Sequence, residues 1–141
     1  MTRAITHLGG ARATILAGLL LVLVEPRVGA AALAANALSH LAVQALKRTV
    51  ARPRPCGPDG APLALVDLPD PFSFPSGHAA AAVSIAVPVA AAWPWTAPVV
   101  LGLAAIVSWS RVALRVHYAT DVLAGAALGL GGALLAQRLI G

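Results

Sequence analysis

The sequence contains five long apolar segments separated by short polar connections, and this pattern restricts the fold more than any other feature. The segments cover residues 13–24, 28–46, 79–93, 96–114 and 119–140. Hydrophobic residues make up 59% of the 141 positions and charged residues only 11%, whereas an average soluble domain has about 25% charged residues. A helix satisfies its backbone hydrogen bonds internally and can therefore cross a bilayer. The sequence predicts an all-α, polytopic membrane bundle of about five transmembrane helices.

The first apolar segment is short, because a helix needs about 20 residues to cross the hydrocarbon core. It reaches that length only if the helix begins near Ala4. A basic start followed by a short apolar core also fits a signal peptide. We favour a retained first span, since the second apolar segment follows almost at once.

The chain has a formal net charge of +5, and nearly all its cations lie at the ends of apolar segments. This placement favours lipid headgroups or a phosphorylated substrate as partners. The sequence shows no basic groove with interleaved aromatic residues, so we expect no nucleic acid partner. Among the few carboxylates, Asp67 and Asp70 could contact a cation, but two-metal hydrolysis needs a denser set. We therefore expect chemistry that needs no metal and no cofactor.

A polar stretch at residues 110–121, Ser-Arg-Val-Ala-Leu-Arg-Val-His-Tyr-Ala-Thr-Asp, separates the last two apolar segments. If the backbone there is nearly helical, His117 and Asp121 share a face, so the carboxylate can accept a hydrogen bond from the imidazole. The second imidazole nitrogen is then left as a base or nucleophile. Arg111 can bring planar N–H donors to an oxyanion. The alternative is a basic cluster on anionic lipid, with Asp121 favouring a helix N-terminus.

Polar residues recur at helical spacing in the second apolar segment, at Asn36, His40, Gln44 and Lys47. This spacing puts them on one stripe of a helix, which must face protein rather than lipid inside a bilayer. We interpret His40 as a packing histidine rather than a catalytic one, because no carboxylate or second histidine is spaced to act with it.

The proline-rich loop at residues 47–75 leads into Pro75-Ser76-Gly77-His78, at the start of the third apolar segment. A serine at this position is typical of a helix N-cap, and the exposed amides of a helix start bind phosphate. Threading five spans through a membrane places this loop and residues 110–121 on the same face.

Three motifs therefore converge on one face of the membrane. The first motif is Lys47 followed, after six intervening residues, by Arg54-Pro55. The second is Pro75-Ser76-Gly77-His78. The third is Ser110-Arg111, then His117 after five intervening residues and Asp121 after three more. In type and spacing they resemble the phosphatidic acid phosphatase type 2 superfamily, which includes glucose-6-phosphatase and the vanadium haloperoxidases. We predict an N-terminal membrane helix and turn over residues 1–35 and a phosphatidic acid phosphatase type 2-like catalytic core over residues 36–141.

The resemblance implies a role for each matching residue. His117 would attack phosphorus and form a phosphohistidine, Asp121 would orient it, and His78 would protonate the leaving oxygen. The residues implied to bind the substrate phosphate are Lys47, Arg54, Ser76, Gly77 and Arg111. The other cations near the motifs are interpreted as a solvated or headgroup-facing basic fringe; these are Arg48, Arg52 and Arg115.

The resemblance implies an integral membrane phosphatase that acts on a lipid phosphate. Polyprenyl phosphate or diphosphate, phosphatidic acid, phosphatidylglycerol phosphate and a polyprenyl-phosphate sugar phosphate all fit the expected charge and depth. The alternatives are a non-catalytic protein that binds lipid phosphates and a vanadate-dependent haloperoxidase. Many membrane members have six spans, so a bundle one helix shorter leaves room for a partner or a homo-oligomer.

The sequence gives conflicting indications of sidedness. Lys and Arg are concentrated on the face that carries the motifs, which by the positive-inside tendency would put that face in the cytoplasm. The resemblance instead implies an extracytoplasmic site at the plasma membrane. Because the site's own cations serve phosphate binding, we favour the extracytoplasmic face.

Overall fold

The computed structural model describes residues 7–68 and 70–140 and shows a bundle of five α-helices. The helices are α1 (Ala11–Val24), α2 (Pro26–Val50), α3 (Gly77–Ala92), α4 (Ala97–Ala113) and α5 (Ala119–Ile140), with short 3-10 turns at His7–Gly9 and Pro94–Thr96. Within the described residues the only β contacts are two isolated bridges. The prediction of an all-α bundle is confirmed.

Three helical stretches are long and apolar enough to cross a membrane: Pro26–Val50, Pro94–Ala113 and Ala119–Ile140. The other two helices, α1 with 14 residues and α3 with 16, are shorter. At 1.5 Å per residue they are about 21 and 24 Å long, less than the hydrocarbon thickness of about 30 Å. The bundle thus combines three full-length spans with two shorter apolar helices.

Helix α2 is longer than the apolar pattern predicted. It begins with Pro26 in its first turn, where the missing N–H has no cost, and continues one turn beyond residue 46 to Val50. Ala51 ends it in the left-handed region, at φ 47°, and its N–H donates to the Lys47 carbonyl. The predicted loop therefore starts later, and Lys47 lies on the last turn of a helix, whose backbone fixes its position.

Helix α3 is central to the bundle and packs against α2, α4 and α5, while α2 also contacts α1 and α5. Glycines on α5 permit the close approach of this helix to α3. A Cβ at Gly125 would collide with the Ser76 carbonyl, and one at Gly129 would collide with the Ala80 carbonyl. The four-residue glycine spacing therefore brings the start of α3 against the first turns of α5.

The interior of the bundle is built from small side chains, with Ala35, Ala133 and Ala136 completely buried. Large apolar side chains point outward instead: Leu23 is 82% exposed and Leu139 73% exposed. In water this distribution would be costly, whereas in a bilayer it gives lipid an apolar surface and lets the helices pack closely.

Candidate active site

The loop between α2 and α3 folds back across the ends of the helices. Ser73 donates its backbone N–H to the Arg52 carbonyl at 2.8 Å and its hydroxyl to the Pro53 carbonyl at 2.9 Å. The Ser76 N–H donates to the Asp121 carbonyl at 2.9 Å, and the Ser76 hydroxyl caps α3 by accepting from Ala79 N–H. These bonds connect the loop, the start of α3 and the start of α5.

A cavity of about 410 Å³ lies where these elements meet. Its lining residues are Ala11, Asn36, His40, Val43, Gln44, Lys47, Arg54, Asp70, Gly77, His78, Ala81, Arg111 and His117. Six of the eight residues to which the resemblance assigns a role thus border one space. The remaining two, Ser76 and Asp121, are completely buried behind it.

His117 lies in the turn between α4 and α5, and Asp121 lies in the first turn of α5. The backbone at His117 is not helical, yet its Nδ1 is 3.7 Å from Asp121 Oδ2. This separation is longer than a hydrogen bond, and Nδ1 has no hydrogen-bond partner among the described residues. The same Asp121 oxygen accepts from the Tyr118 N–H at 2.8 Å. Asp121 therefore faces one imidazole nitrogen and leaves the other for the cavity.

The positive charge around His117 and its burial both disfavour the imidazolium. Burial, followed by the guanidinium groups of Arg54 and Arg111, lowers the pKa of His117 to about 3, although a contact with the Ser73 backbone opposes the shift. A histidine with this pKa is neutral at physiological pH and keeps a lone pair for attack.

Asp70 occupies the cationic side of the cavity. Lys47 Nζ lies 2.8 and 2.7 Å from its two carboxylate oxygens, and Arg54 Nη2 lies 3.2 Å from Oδ1. Burial raises the pKa of the Asp70 carboxyl, but the hydrogen bond and charge of Lys47, together with Arg54, outweigh burial and lower it. From the sequence, the one role suggested for Asp70 is contact with a cation. Its partners are the two cations expected to bind phosphate.

The interpretation of Arg52 as part of a solvated basic fringe is wrong. Its Nη1 donates to Asp121 Oδ1 at 2.9 Å and to the Thr120 hydroxyl at 2.8 Å. The guanidinium also lies 4.1 Å from the centre of the Tyr118 ring. Arg52 is drawn inward because the completely buried Asp121 carboxylate needs a cationic partner. The scarcity of carboxylates near the motifs was the one sequence signal that could have indicated this pair.

The polar stripe of the second apolar segment borders the cavity inside the bundle, although His40 is also exposed. Asn36, His40, Gln44 and Lys47 all line the cavity from α2. No group of three or more His, Cys, Asp or Glu side chains that could hold a metal occurs in residues 7–68 and 70–140. The expectation that the chemistry needs no metal stays a prediction.

Comparison with known proteins gives matches in both sequence and structure. A family model described as the PAP2 superfamily matches residues 28–141. The decaprenylphosphoryl-5-phosphoribose phosphatase of Mycolicibacterium smegmatis is 38% identical over 127 residues, which cover 87% of this chain and 68% of that protein.

Two crystal structures share the fold. A transmembrane PAP2-type phosphatidylglycerolphosphate phosphatase from Bacillus subtilis matches with a TM-score of 0.76 and 29% identity, over 98% of this chain and 74% of its own. LpxE from Aquifex aeolicus matches with a TM-score of 0.83 over 97% of this chain and 83% of its own. At 22% identity, the second match supports the fold alone.

Proposed function

This chain belongs to the PAP2 superfamily and is an integral membrane lipid phosphatase, and from this premise we propose that His117 carries the phosphoryl group as a phosphohistidine. The observation that supports the proposal is the arrangement of the cavity, which His78 and His117 both line together with Lys47, Arg54 and Arg111. Two imidazoles and three cations around one space provide a nucleophile, an acid and an anion-binding site.

In the proposed reaction, the neutral imidazole of His117 attacks phosphorus and forms an N–P bond while the bond from phosphorus to the leaving oxygen breaks. Burial and the neighbouring charge of Arg111 lower the pKa of His78 to about 4, and the negative charge of a bound phosphate opposes this shift by favouring the imidazolium. The protonated His78 then gives its proton to the leaving oxygen, a contribution worth about 10²–10⁴ in rate. Water then attacks the phosphohistidine and gives a proton to His78, which releases inorganic phosphate and restores both histidines.

The cations of the cavity would stabilise the charge on the three equatorial oxygens of the transferring group. Arg54 and Arg111 offer planar sets of donors and Lys47 offers an ammonium, so together they can perform the electrostatic work of a metal clamp. Gly77 lines the cavity at the start of α3, where backbone amides can be oriented toward an anion. Ser76 contributes by capping this helix rather than through its own N–H, because that N–H donates to the Asp121 carbonyl.

The substrate we propose is a prenyl lipid that carries a phosphorylated polar group, at the extracytoplasmic face of the plasma membrane. The similarity to a decaprenylphosphoryl-5-phosphoribose phosphatase supports this choice over phosphatidic acid and phosphatidylglycerol phosphate. The B. subtilis match, a phosphatidylglycerolphosphate phosphatase, makes the glycerol lipid the comparison substrate.

The decisive test is phosphate release by the purified protein from a panel of lipid phosphates and diphosphates, with the His117→Ala variant alongside. We expect release and a phosphoenzyme from the unmodified chain and neither from the variant. Label retained on the variant would place the nucleophile elsewhere. Lipid binding without release by either protein would favour the non-catalytic alternative.

A further inference from the structure

The cavity is larger than a phosphate group requires, and the part that the proposed chemistry leaves unused is polar. Asn36, His40 and Gln44 line it from α2, on the same stripe as Lys47. At a rise of 1.5 Å per residue, these positions lie roughly 16, 10 and 4.5 Å from Lys47 along the helix axis. The polar lining therefore extends from the phosphate-binding cations well toward the middle of α2.

One member of this stripe has an unused hydrogen-bonding group. The Asn36 side-chain nitrogen is buried and has no hydrogen-bond partner among the described residues. A buried amide without a partner is costly, so such groups in native proteins are usually paired by protein, water or ligand. Asn36 also lines both this cavity and the neighbouring one, so a rotation of its side-chain amide would present this donor to whatever occupies the inner part of the cavity.

An apolar groove continues from the same end of the stripe. A second cavity, of about 310 Å³, is lined by Ile15, Leu33 and Ala37 together with Ala11, Asn36 and His40. Ala11, Asn36 and His40 also line the first cavity, so the two spaces meet at these residues. The lining therefore changes along α2. It is cationic at Lys47, polar and uncharged at Gln44, His40 and Asn36, and apolar in the groove between α1 and α2.

We propose that Asn36, His40 and Gln44 form a subsite for a hydroxylated group, such as a pentose. This group would lie between the reacting phosphate and the prenyl-phosphoryl part of the lipid, whose hydrocarbon chain lies in the groove between α1 and α2. This inference rests on the proposed function, because it assigns the substrate class of the same site. Amide and imidazole groups both donate to and accept from hydroxyls. A lipid whose hydrocarbon begins at the phosphate would put methylene groups against this polar stripe and leave its groups unpaired.

The test compares two lipids with the same prenyl chain, a polyprenyl-phosphoryl pentose phosphate and a polyprenyl monophosphate. The unmodified chain should show the higher kcat/KM for the pentose lipid. Asn36→Leu and Gln44→Met keep side-chain size but remove the hydrogen bonds. Each should lower kcat/KM for the pentose lipid about tenfold, the worth of one lost hydrogen bond, and leave the monophosphate unchanged or improved.

Leu41→Ala is the matched control, because Leu41 lies on the same helix but is 67% exposed and lines neither cavity. Equal losses on both lipids, or a wild-type preference for the monophosphate, would overturn the subsite. If Asn36→Leu does not fold, Gln44→Met decides by the same criterion. Hydrolysis of neither lipid would contradict the proposed function instead. Equilibrium binding of the two lipids would then decide the subsite, and equal affinities would reject it.

Discussion

Asp121 forms an ion pair with Arg52, a residue outside the motif to which Asp121 belongs. The guanidinium of Arg52 binds the Asp121 oxygen that does not face His117. By fixing that oxygen, it orients the other toward Nδ1 of the imidazole. Arg52 is thus a positioning residue, and its effect on turnover should exceed its effect on substrate binding.

We expect Arg52→Leu to lower kcat roughly 10- to 100-fold with a smaller change in KM, because a hydrogen bond to a charged group is worth about 1.5–3 kcal/mol. Arg52→Lys should restore part of the loss. Steady-state kinetics on both variants provide the measurement. Arg48→Leu is the control, since Arg48 is exposed on the same helix end. A change confined to KM, or an equal loss in the control, would reject the positioning role.

Asp70 competes with phosphate for two cations, because its carboxylate contacts both Lys47 and Arg54. A bound phosphoryl group would share these cations with Asp70 or displace it from them. We therefore expect Asp70→Asn to tighten inhibition by inorganic phosphate about tenfold and to lower the melting temperature, since ion pairs partly shielded from water are lost. Asp67→Asn, at an exposed loop position, is the matched control. Weaker inhibition by phosphate would show that Asp70 helps to assemble the site instead.

The protonation state of His117 gives a prediction with a definite sign. Its pKa is lowered to about 3, whereas an unfolded histidine titrates near 6.5. Between these values the unfolded chain binds the extra proton, so stability falls as the pH drops from about 6.5 toward 3. Imidazole NMR of the detergent-solubilised protein should show His117 neutral at pH 5. Titration of its resonance near pH 6.5, identified by comparison with His117→Ala, would contradict this prediction.

At the scale of elements, apolar periodicity predicted all five helices, and its largest error was at the end of α2. The apolar residues stop at position 46, yet the helix continues through Lys47 to Val50. Nothing in these residues opposes a helix, and the first proline able to stop it is Pro53. Hydropathy marks where a helix leaves lipid, whereas proline and backbone conformation decide where it ends. The position of Lys47 in the site depends on this difference.

The contact between α3 and α5 can be tested by one added methyl group. A Cβ at Gly129 would collide with the Ala80 backbone carbonyl, whereas a Cβ at Gly131 meets nothing within 4 Å. We expect Gly129→Ala to destabilise the protein by about 1–3 kcal/mol through overpacking. Gly131→Ala should be neutral or slightly stabilising, because alanine favours helix by about 1 kcal/mol. Thermal unfolding in detergent provides the comparison, and equal melting temperatures would mean that α3 and α5 pack less closely.

At the scale of the whole molecule, the sequence predicted which segments meet, but not how the loop completes the site. Short connections and five spans require the ends of α2 and α4 and the starts of α3 and α5 to share one face. The ion pair of Arg52 with Asp121 and those of Asp70 with Lys47 and Arg54 depend instead on how the loop between α2 and α3 folds back over that face. Ser73 donates hydrogen bonds to the carbonyls of Pro53 and Arg52, which lie 20 and 21 positions earlier, and these bonds fix the path of the loop. No local sequence pattern predicts partners so far apart.

Sidedness is the remaining property of the whole molecule, and the structure changes how its charges should be counted. Lys47, Arg52 and Arg54 are paired with carboxylates, and Arg111 lines the cavity, so these four serve the site. Among the residues that the structure describes, which leave out Arg3, the exposed cations remaining on that face are Arg12, Arg48 and Arg115, against Arg27 and Arg138 on the other. This small difference gives the positive-inside tendency little weight, and the extracytoplasmic orientation remains our proposal.

Cys56 provides the test, because it is exposed, lies in the loop beside the site and is the only cysteine of the chain. An impermeant maleimide should label it in intact cells, since the proposed orientation puts the thiol outside the plasma membrane. The Cys56→Ser variant controls for labelling of other proteins, and lysed cells control for access to the thiol. Labelling after lysis but not before would put the cavity, and the phosphate it releases, on the cytoplasmic side. Arg27 lies at the opposite end of α2. Arg27→Cys, made in the Cys56→Ser variant, should show the opposite labelling pattern to Cys56 in either orientation.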